Sequence, residues 1–386
     1  MRTIGTVARG IRAPLIKAGD DMAGIVTESV LAAVREEKFQ LRDKDVVAVT
    51  EAVVARAQGN YATCAQIAAD IRNKFPGGEL VITFPILSRN RFSNILRGIA
   101  QGCDKLYIML SFPSDEVGNA LLSWDRIDAA GVNPYTDVLT EADYREKFGY
   151  DTRHVFTGMD YVEYYKSFGS HVEIVFANDV RSALRFSKHV LCCDVHSRAR
   201  SKRLLKEAGA ETVYGLDDVL SRPVDGSGWN EGYGVLGSNK ATEDSVKLFP
   251  RDCEALVKEI ARRLKEATGK QVEVMIYGDG AFKDPVGQIW ELADPVVSPA
   301  FTPGLEGTPN ELKLKLLLDN ELAGKSETEA RALIQAKSDN LEDRALGTTP
   351  RRYTDLLGSL CDLISGSGDK GTPIVLVQGY FDNFAS

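Results

Sequence analysis

A mixed α/β or α+β fold is predicted by three observations. Short apolar, β-branched runs such as VVAVT (46–50), ELVITFPI and HVEIVFAN alternate with helical stretches, the pattern of crossover units on a partly parallel sheet. The 386 residues leave room for two or three domains at the usual ~100–200 residues each. A Gly/Ser/Asp-rich segment, RPVDGSGWNEGYG (222–234), marks a boundary before the C-terminal part.

Each element has a local reason. Asp20 and Asp21 precede the amphipathic run MAGIVTESVLAAVREE, and acidic residues suit the first turn of a helix. The turn at 43–45 leads into the strand VVAVT, and EAVVARAQG follows as a helix ending at Gly59. From about 79 to 220 the strand candidates are ELVITFPI, DKLYIMLSF, HVEIVFAN, HVLCCDV and AETVYGL. Between them lie the helical stretches FSNILRGIAQ, VRSALRFS and ARSKRLLKEAGA. Residues 119–166, rich in tyrosine and charge, read as a helical or irregular cover. Later, SVKLFP is a strand, and Leu256, Ile260 and Leu264 define a helix that Gly269 ends. VEVMIYGDG is a buried strand with a polar tip, 310–346 a charged helical region, YTDLLGSLCDLIS a helix and TPIVLVQGY a strand.

Composition narrows the function. An apolar share of 44% with 26% charged residues suits a water-soluble globular chain with a large core. The net charge of −8 argues against a general nucleic-acid binder, which needs excess cations facing the phosphates. No apolar run approaches the ~20 residues of a membrane span, and the first residues lack the apolar stretch of a secretory signal. Six cysteines without CxxC spacing read as reduced thiols. A cytoplasmic enzyme is the expectation.

Several residues stand out chemically. Asp279, flanked by Gly278 and Gly280 at the end of an apolar strand, is placed either to hold a hard cation or to make a tight turn. Asp284 lies five residues on. The run Ser365, Gly366, Ser367, Gly368, Asp369, Lys370, Gly371 can turn successive N–H groups toward an anion, or act as a plain connection. It lacks the spacing of a Walker A loop and precedes a strand. Asn239 follows a Gly-Ser turn and either binds a phosphate or base edge or simply forms a turn. Glu243 and Asp244 nearby are alternative metal ligands or solvated. Arg89 and Arg91 pair on a loop, where they meet an anionic substrate or solvent. Cys192, Cys193 and His196 lack the second pair that a zinc site needs.

Five segments, GIRAPLIKAGDDMAGIV, DVVAVTEAVVARAQG, GSNKATEDSVKLFPRD, VEVMIYGDGAFKDP and ISGSGDKGTPIVLVQGY, occur in the order found in the F420-0:γ-glutamyl ligases, which the chain resembles over about 60 residues at the start and about 150 at the end. Those enzymes extend coenzyme F420 with glutamate, using GTP and divalent metal. The resemblance implies a ligase-like core from 1–61 and 231–386, with 62–230 an inserted α/β unit that governs acceptor choice. It places Pro14, Leu15 and Ile16 in a nucleotide-contacting turn, and Glu51, Arg56 and Asn239 at the nucleotide. Arg56 stands where the family has lysine. Asp279 becomes a metal ligand and, with Arg56, a catalytic residue. The loop from Ser365 to Thr372 becomes the nucleotide loop, with Ser367 a second metal contact. Leu236 stands at the position of a further family metal-binding aspartate, for which Glu243, Asp244 or Asp284 is the substitute ligand. The implied reaction is GTP- or ATP-dependent amide-bond formation with Mg2+ or Mn2+, joining L-glutamate to a small-molecule acceptor through an acyl phosphate, in a homodimer. A folate-like acceptor or a non-catalytic nucleotide-binding relative are the alternatives.

Overall fold

The valine-rich run at 46–50 forms the middle of a sheet buried on both faces, as its lack of polar alternation requires. A computed structural model describes residues 3–278, 282–283, 290–291, 297–309, 312–339, 351–365 and 370–382. The architecture is mixed α/β, as the alternation predicted. The chain divides into two compact units. One comprises Met1–Ala57, Asp252–Gly280 and Val296–Ser386; the other comprises Gln58–Arg251 and Ala281–Pro295.

In the first unit, five strands lie in the order Val7–Ile11, Ile374–Gln378, Val46–Thr50, Glu273–Tyr277, Ala300–Phe301. Val46–Thr50 and Glu273–Tyr277 run parallel, and the other pairings are antiparallel. Because side chains alternate across a strand, Val47, Val49, Val274, Ile276 and Leu376 face one way. There they meet Val26 and Val30 of helix Met22–Glu36, and Val257, Ile260 and Leu264 of helix Cys253–Thr268. Val46, Ala48, Met275, Tyr277, Val375 and Val377 face the other way, onto Leu357 and Cys361 of helix Tyr353–Ser365. Asp21 caps its helix by accepting from the Gly24 N–H, and Gly269 ends the second helix at φ 70°, a left-handed conformation suited to glycine. Among the described residues of the 310–346 region lie helices Leu314–Asp319 and Glu327–Asp339, beside a small apolar cluster of Leu317, Leu322 and Ile334.

The second unit carries a six-stranded sheet in the order Leu139–Thr140, Val172–Phe176, Lys105–Leu110, Glu79–Thr83, His189–Cys192, Thr212–Gly215. All neighbours are parallel except the short first edge strand. Helices Cys64–Lys74 and Arg91–Gln101 cover one face, and Arg198–Glu207 with the 3-10 turn Val180–Arg185 covers the other. The tyrosine-rich stretch is part of this core. Tyr144 stacks on Phe176 at 4.2 Å between ring centres, and Tyr161 and Tyr165 are buried beside it. A separate antiparallel sheet joins Asn239–Thr242, Ser245–Lys247 and Tyr61–Thr63. Among the described residues no helix is long and apolar enough to cross a membrane.

Candidate functional site

Strand direction decides what the first unit gathers at one end of its sheet. Val46–Thr50 and Glu273–Tyr277 are parallel with Thr50 opposite Tyr277, so their C-terminal ends lie together. The strand Ile374–Gln378 runs the opposite way, and its first residue pairs with Val49. The Thr50 N–H donates to the Pro373 carbonyl at 3.0 Å, extending that pairing toward the glycine loop. Ile11 pairs with Ile374, so the first strand also ends here and passes into Pro14, Leu15 and Ile16. Four chain segments far apart in sequence therefore meet at one sheet end: the 12–16 turn, Glu51, the tip after Tyr277, and the segment entering Ile374.

Close approach is built into this end. A Cβ on Gly10 would stand 2.9 Å from the Thr372 hydroxyl, so a side chain there would push the loop away. That Thr372 hydroxyl is buried and has no hydrogen-bond partner among the described residues. Arg56 donates from Nε to the Ile16 carbonyl at 2.6 Å. It thereby ties helix Glu51–Ala57 to the 12–16 turn, and the Gly19 N–H adds a second tie to the Ala57 carbonyl at 2.7 Å. Ile16 is buried, while Leu15 is 91% exposed. Glu51 opens its helix and is buried at 3% exposure. Burial, reinforced by the Glu51 charge, pushes the Cys253 thiol up to about 12, so this thiol stays neutral.

The glycine loop is anchored at both ends. Ser365, the last residue of helix Tyr353–Ser365, donates its hydroxyl to the Asp362 carbonyl at 2.9 Å. It lies beside the buried Tyr277 phenol, whose pKa burial holds above the ordinary tyrosine value. At the far end Gly371 takes φ 65° before the strand begins, and Lys370 is exposed. Asp279, Asp284, Gly366, Ser367, Gly368 and Asp369 lie outside the described residues. The described neighbours of Asp279 and of the loop, Tyr277 with Gly278 on one side and Ser365 with Gly371 and Thr372 on the other, stand at the same sheet end, whereas Asp284 follows Phe282–Lys283 in a segment of the second unit.

The second unit holds others of the expected residues. Asn239 is in the second unit, where it opens a strand paired with Lys247. Leu236 is a buried core residue of that unit at 1% exposure. Glu243 is an exposed carboxylate paired with Lys240 at 2.6 Å. No group of three or more His, Cys, Asp or Glu suited to a metal occurs among the described residues. The Arg56–Ile16 tie has no signal in the sequence, because it joins residues 40 apart.

At the opposite end of the same sheet the polar groups pair with one another. Asp45, 1% exposed, accepts from the Gln378 amide at 2.6 Å and from the Arg42 N–H at 2.8 Å. Arg9 donates to the Gln378 amide oxygen at 2.6 Å. Glu273 accepts from the Thr302 hydroxyl and, at 3.1 Å, from the Gly304 N–H. These carboxylates are hydrogen-bonded within the fold.

No individually curated protein matches the chain. The family model described as F420-0:gamma-glutamyl ligase matches residues 10–379, crossing both units. With nearly the whole length matched, the chain belongs to the F420-0:γ-glutamyl ligase family.

Proposed function

We propose that the protein is a nucleotide- and metal-dependent ligase that adds L-glutamate to a small-molecule acceptor by forming an amide bond. Membership of a glutamate-ligase family supports the reaction class. The observation that carries the mechanism is the convergence of Tyr277, Thr50, Pro373 and Ile11 at one sheet end. It brings the segment before Asp279 and both ends of the glycine loop to a common place.

The chemistry needs activation because a carboxylate is a poor acyl donor. An acceptor carboxylate oxygen attacks the γ-phosphorus of GTP or ATP, the bond to the β-phosphate oxygen breaks, and nucleoside diphosphate leaves. The glutamate amine then attacks the acyl phosphate carbon, loses a proton and expels inorganic phosphate. Such phosphoryl transfer rests chiefly on positioning and charge neutralisation. In this reading the 365–371 loop and the Thr372 hydroxyl hold phosphate oxygens. Arg56 fixes the Pro14–Ile16 turn against the nucleotide and presents its remaining guanidinium N–H groups to it.

The donor chemistry fits a hard cation. Carboxylate and hydroxyl oxygens suit Mg2+ or Mn2+, whereas the buried neutral thiols of Cys253 and Cys361 do not offer a soft site. Asp279, Ser367 and Asp284 are the proposed ligands, and the cation supplies neutralisation of phosphate charge. Buried Leu236 leaves this chain one carboxylate short of the family pattern. Nucleotide phosphates must therefore complete the shell. Asn239 is proposed as a further nucleotide contact and the second unit as the site of acceptor choice. A cytoplasmic homodimer completes the proposal.

Incubation with labelled nucleotide, glutamate and candidate acceptors tests the reading. A ligase releases diphosphate nucleotide only when both co-substrates are present. Release with neither co-substrate indicates a phosphatase, and no release with any acceptor indicates a binding relative.

A further inference from the structure

The leucine-rich helix Leu314–Asp319 and helix Glu327–Asp339 build an apolar cluster of their own, separate from the cores on the two faces of the first unit's sheet. Leu317, Leu322 and Ile334 are its buried centre. The cluster does not close. It leaves a cavity of about 250 Å3, walled by Leu314 and Leu318 of one helix, Ala330 and Ile334 of the other, and Leu322 between them. Leu318 is 59% exposed on this wall. Lys325, also on the wall, is exposed, so the mouth opens to solvent on this side.

Protein interiors rarely leave voids much larger than a water molecule. An apolar cavity of about 150 Å3 stays dry and takes a benzene-sized guest, so this one has room for a chain of about eight carbons. Its size excludes the row of anchor pockets along which an amphipathic helix docks. The charged groups at the mouth select the end group of the chain. Glu327, which also lines the cavity, is paired with Arg331 at 2.9 Å, and Glu329 accepts from the Ser326 hydroxyl at 2.6 Å. Lys337 is paired with Glu321 at 3.1 Å. Lys325 is the lining cation, and it has no ion pair among the described residues. Its stem can lie along the leucines while its ammonium stays at the mouth. An aliphatic wall that ends at such an ammonium complements an aliphatic chain that ends in an anion.

We propose that this cavity binds an aliphatic carboxylate of about eight carbons, with its chain against Leu314, Leu318, Leu322, Ala330 and Ile334 and its carboxylate at the Lys325 ammonium. The site lies in the first unit and does not rest on the ligase reading.

Calorimetric titration of the full chain with octanoate, and separately with octylamine, tests this. Octanoate should bind saturably, one molecule per chain, and octylamine at least about tenfold more weakly. Ala330→Trp fills the cavity and should abolish octanoate binding. Lys325→Gln alters an exposed side chain; it should weaken octanoate roughly threefold to fivefold and leave octylamine no weaker than before. Absence of saturable octanoate binding, equal binding of the two probes, or unchanged octanoate affinity in Lys325→Gln overturns the proposal. So does octanoate binding that survives in Ala330→Trp with its far-UV circular dichroism unchanged. Self-association of the chain that Ala330→Trp prevents and octanoate leaves untouched would mark the cavity as a contact between copies, and overturns it as well.

Discussion

Arg56 joins two segments of the candidate site through one side chain. Its Nε–H bond to the Ile16 carbonyl spans 2.6 Å and fixes a turn at the candidate nucleotide end. Because Arg56 itself is exposed, Arg56→Ala should cost about 1 kcal/mol or less of stability. Nucleotide affinity should fall roughly tenfold as the turn loosens, and calorimetry together with a melting curve separates the two effects. Arg56→Lys should recover only part of the affinity, because an ammonium cannot tie the turn and present a planar fork at once. A second residue reports through pH. Asp115 is buried, and that burial raises its pKa from 3.8 to about 6 despite four hydrogen bonds to the carboxylate. A raised acid binds its proton more tightly when folded, so stability must fall as pH rises between about 4 and about 6. Two pKa units correspond to about 3 kcal/mol. Denaturant titrations across that window should show the slope, and Asp115→Asn should abolish it.

At the scale of elements, the candidate site depends on how closely the first strand and the glycine loop's exit approach each other. Gly10 makes that approach possible, since a Cβ would stand 2.9 Å from Thr372. Gly10→Ala should therefore lower stability by about 1–3 kcal/mol, the usual cost of overpacking. It should also weaken nucleotide binding, whereas Gly5→Ala, where a Cβ meets nothing, should do neither. Denaturation and binding measured on the two variants check this. Most elements were legible because they obey one period: Val46–Thr50 and Cys253–Thr268 fall where the apolar pattern puts them. Helix Cys64–Lys74 was overlooked although Thr63 and Gln66 form a reciprocal capping box at its start. The stretch VRSALRFS, read as helical, folds as a 3-10 turn, Val180–Arg185. The strand Val7–Ile11 was missed because its register with Ile374–Gln378 depends on a partner more than 360 residues away. Local periodicity carries no such information.

For the whole molecule, the sheet connectivity of the first unit turns sequence motifs into a candidate site. Order along the chain says nothing about which strand ends coincide. The parallel pairing of Val46–Thr50 with Glu273–Tyr277, and the antiparallel return of Ile374–Gln378, supply that. The second unit was legible as alternating strands and helices, but its reversal between Glu79–Thr83 and His189–Cys192 is a property of strand order alone. Likewise the aromatic stretch owes its place in the core to tertiary partners such as Phe176, on which Tyr144 stacks. The proposal that one carboxylate-poor metal site needs the nucleotide's own phosphates is a statement about this assembled sheet end. It is tested most directly by calorimetry of Mn2+ binding with and without GTP or ATP, in the parent chain and in Asp279→Asn. Saturable Mn2+ binding that appears only with nucleotide, and that Asp279→Asn removes, is the predicted result. Equally tight Mn2+ binding in the absence of nucleotide, or binding that survives in Asp279→Asn, would contradict it.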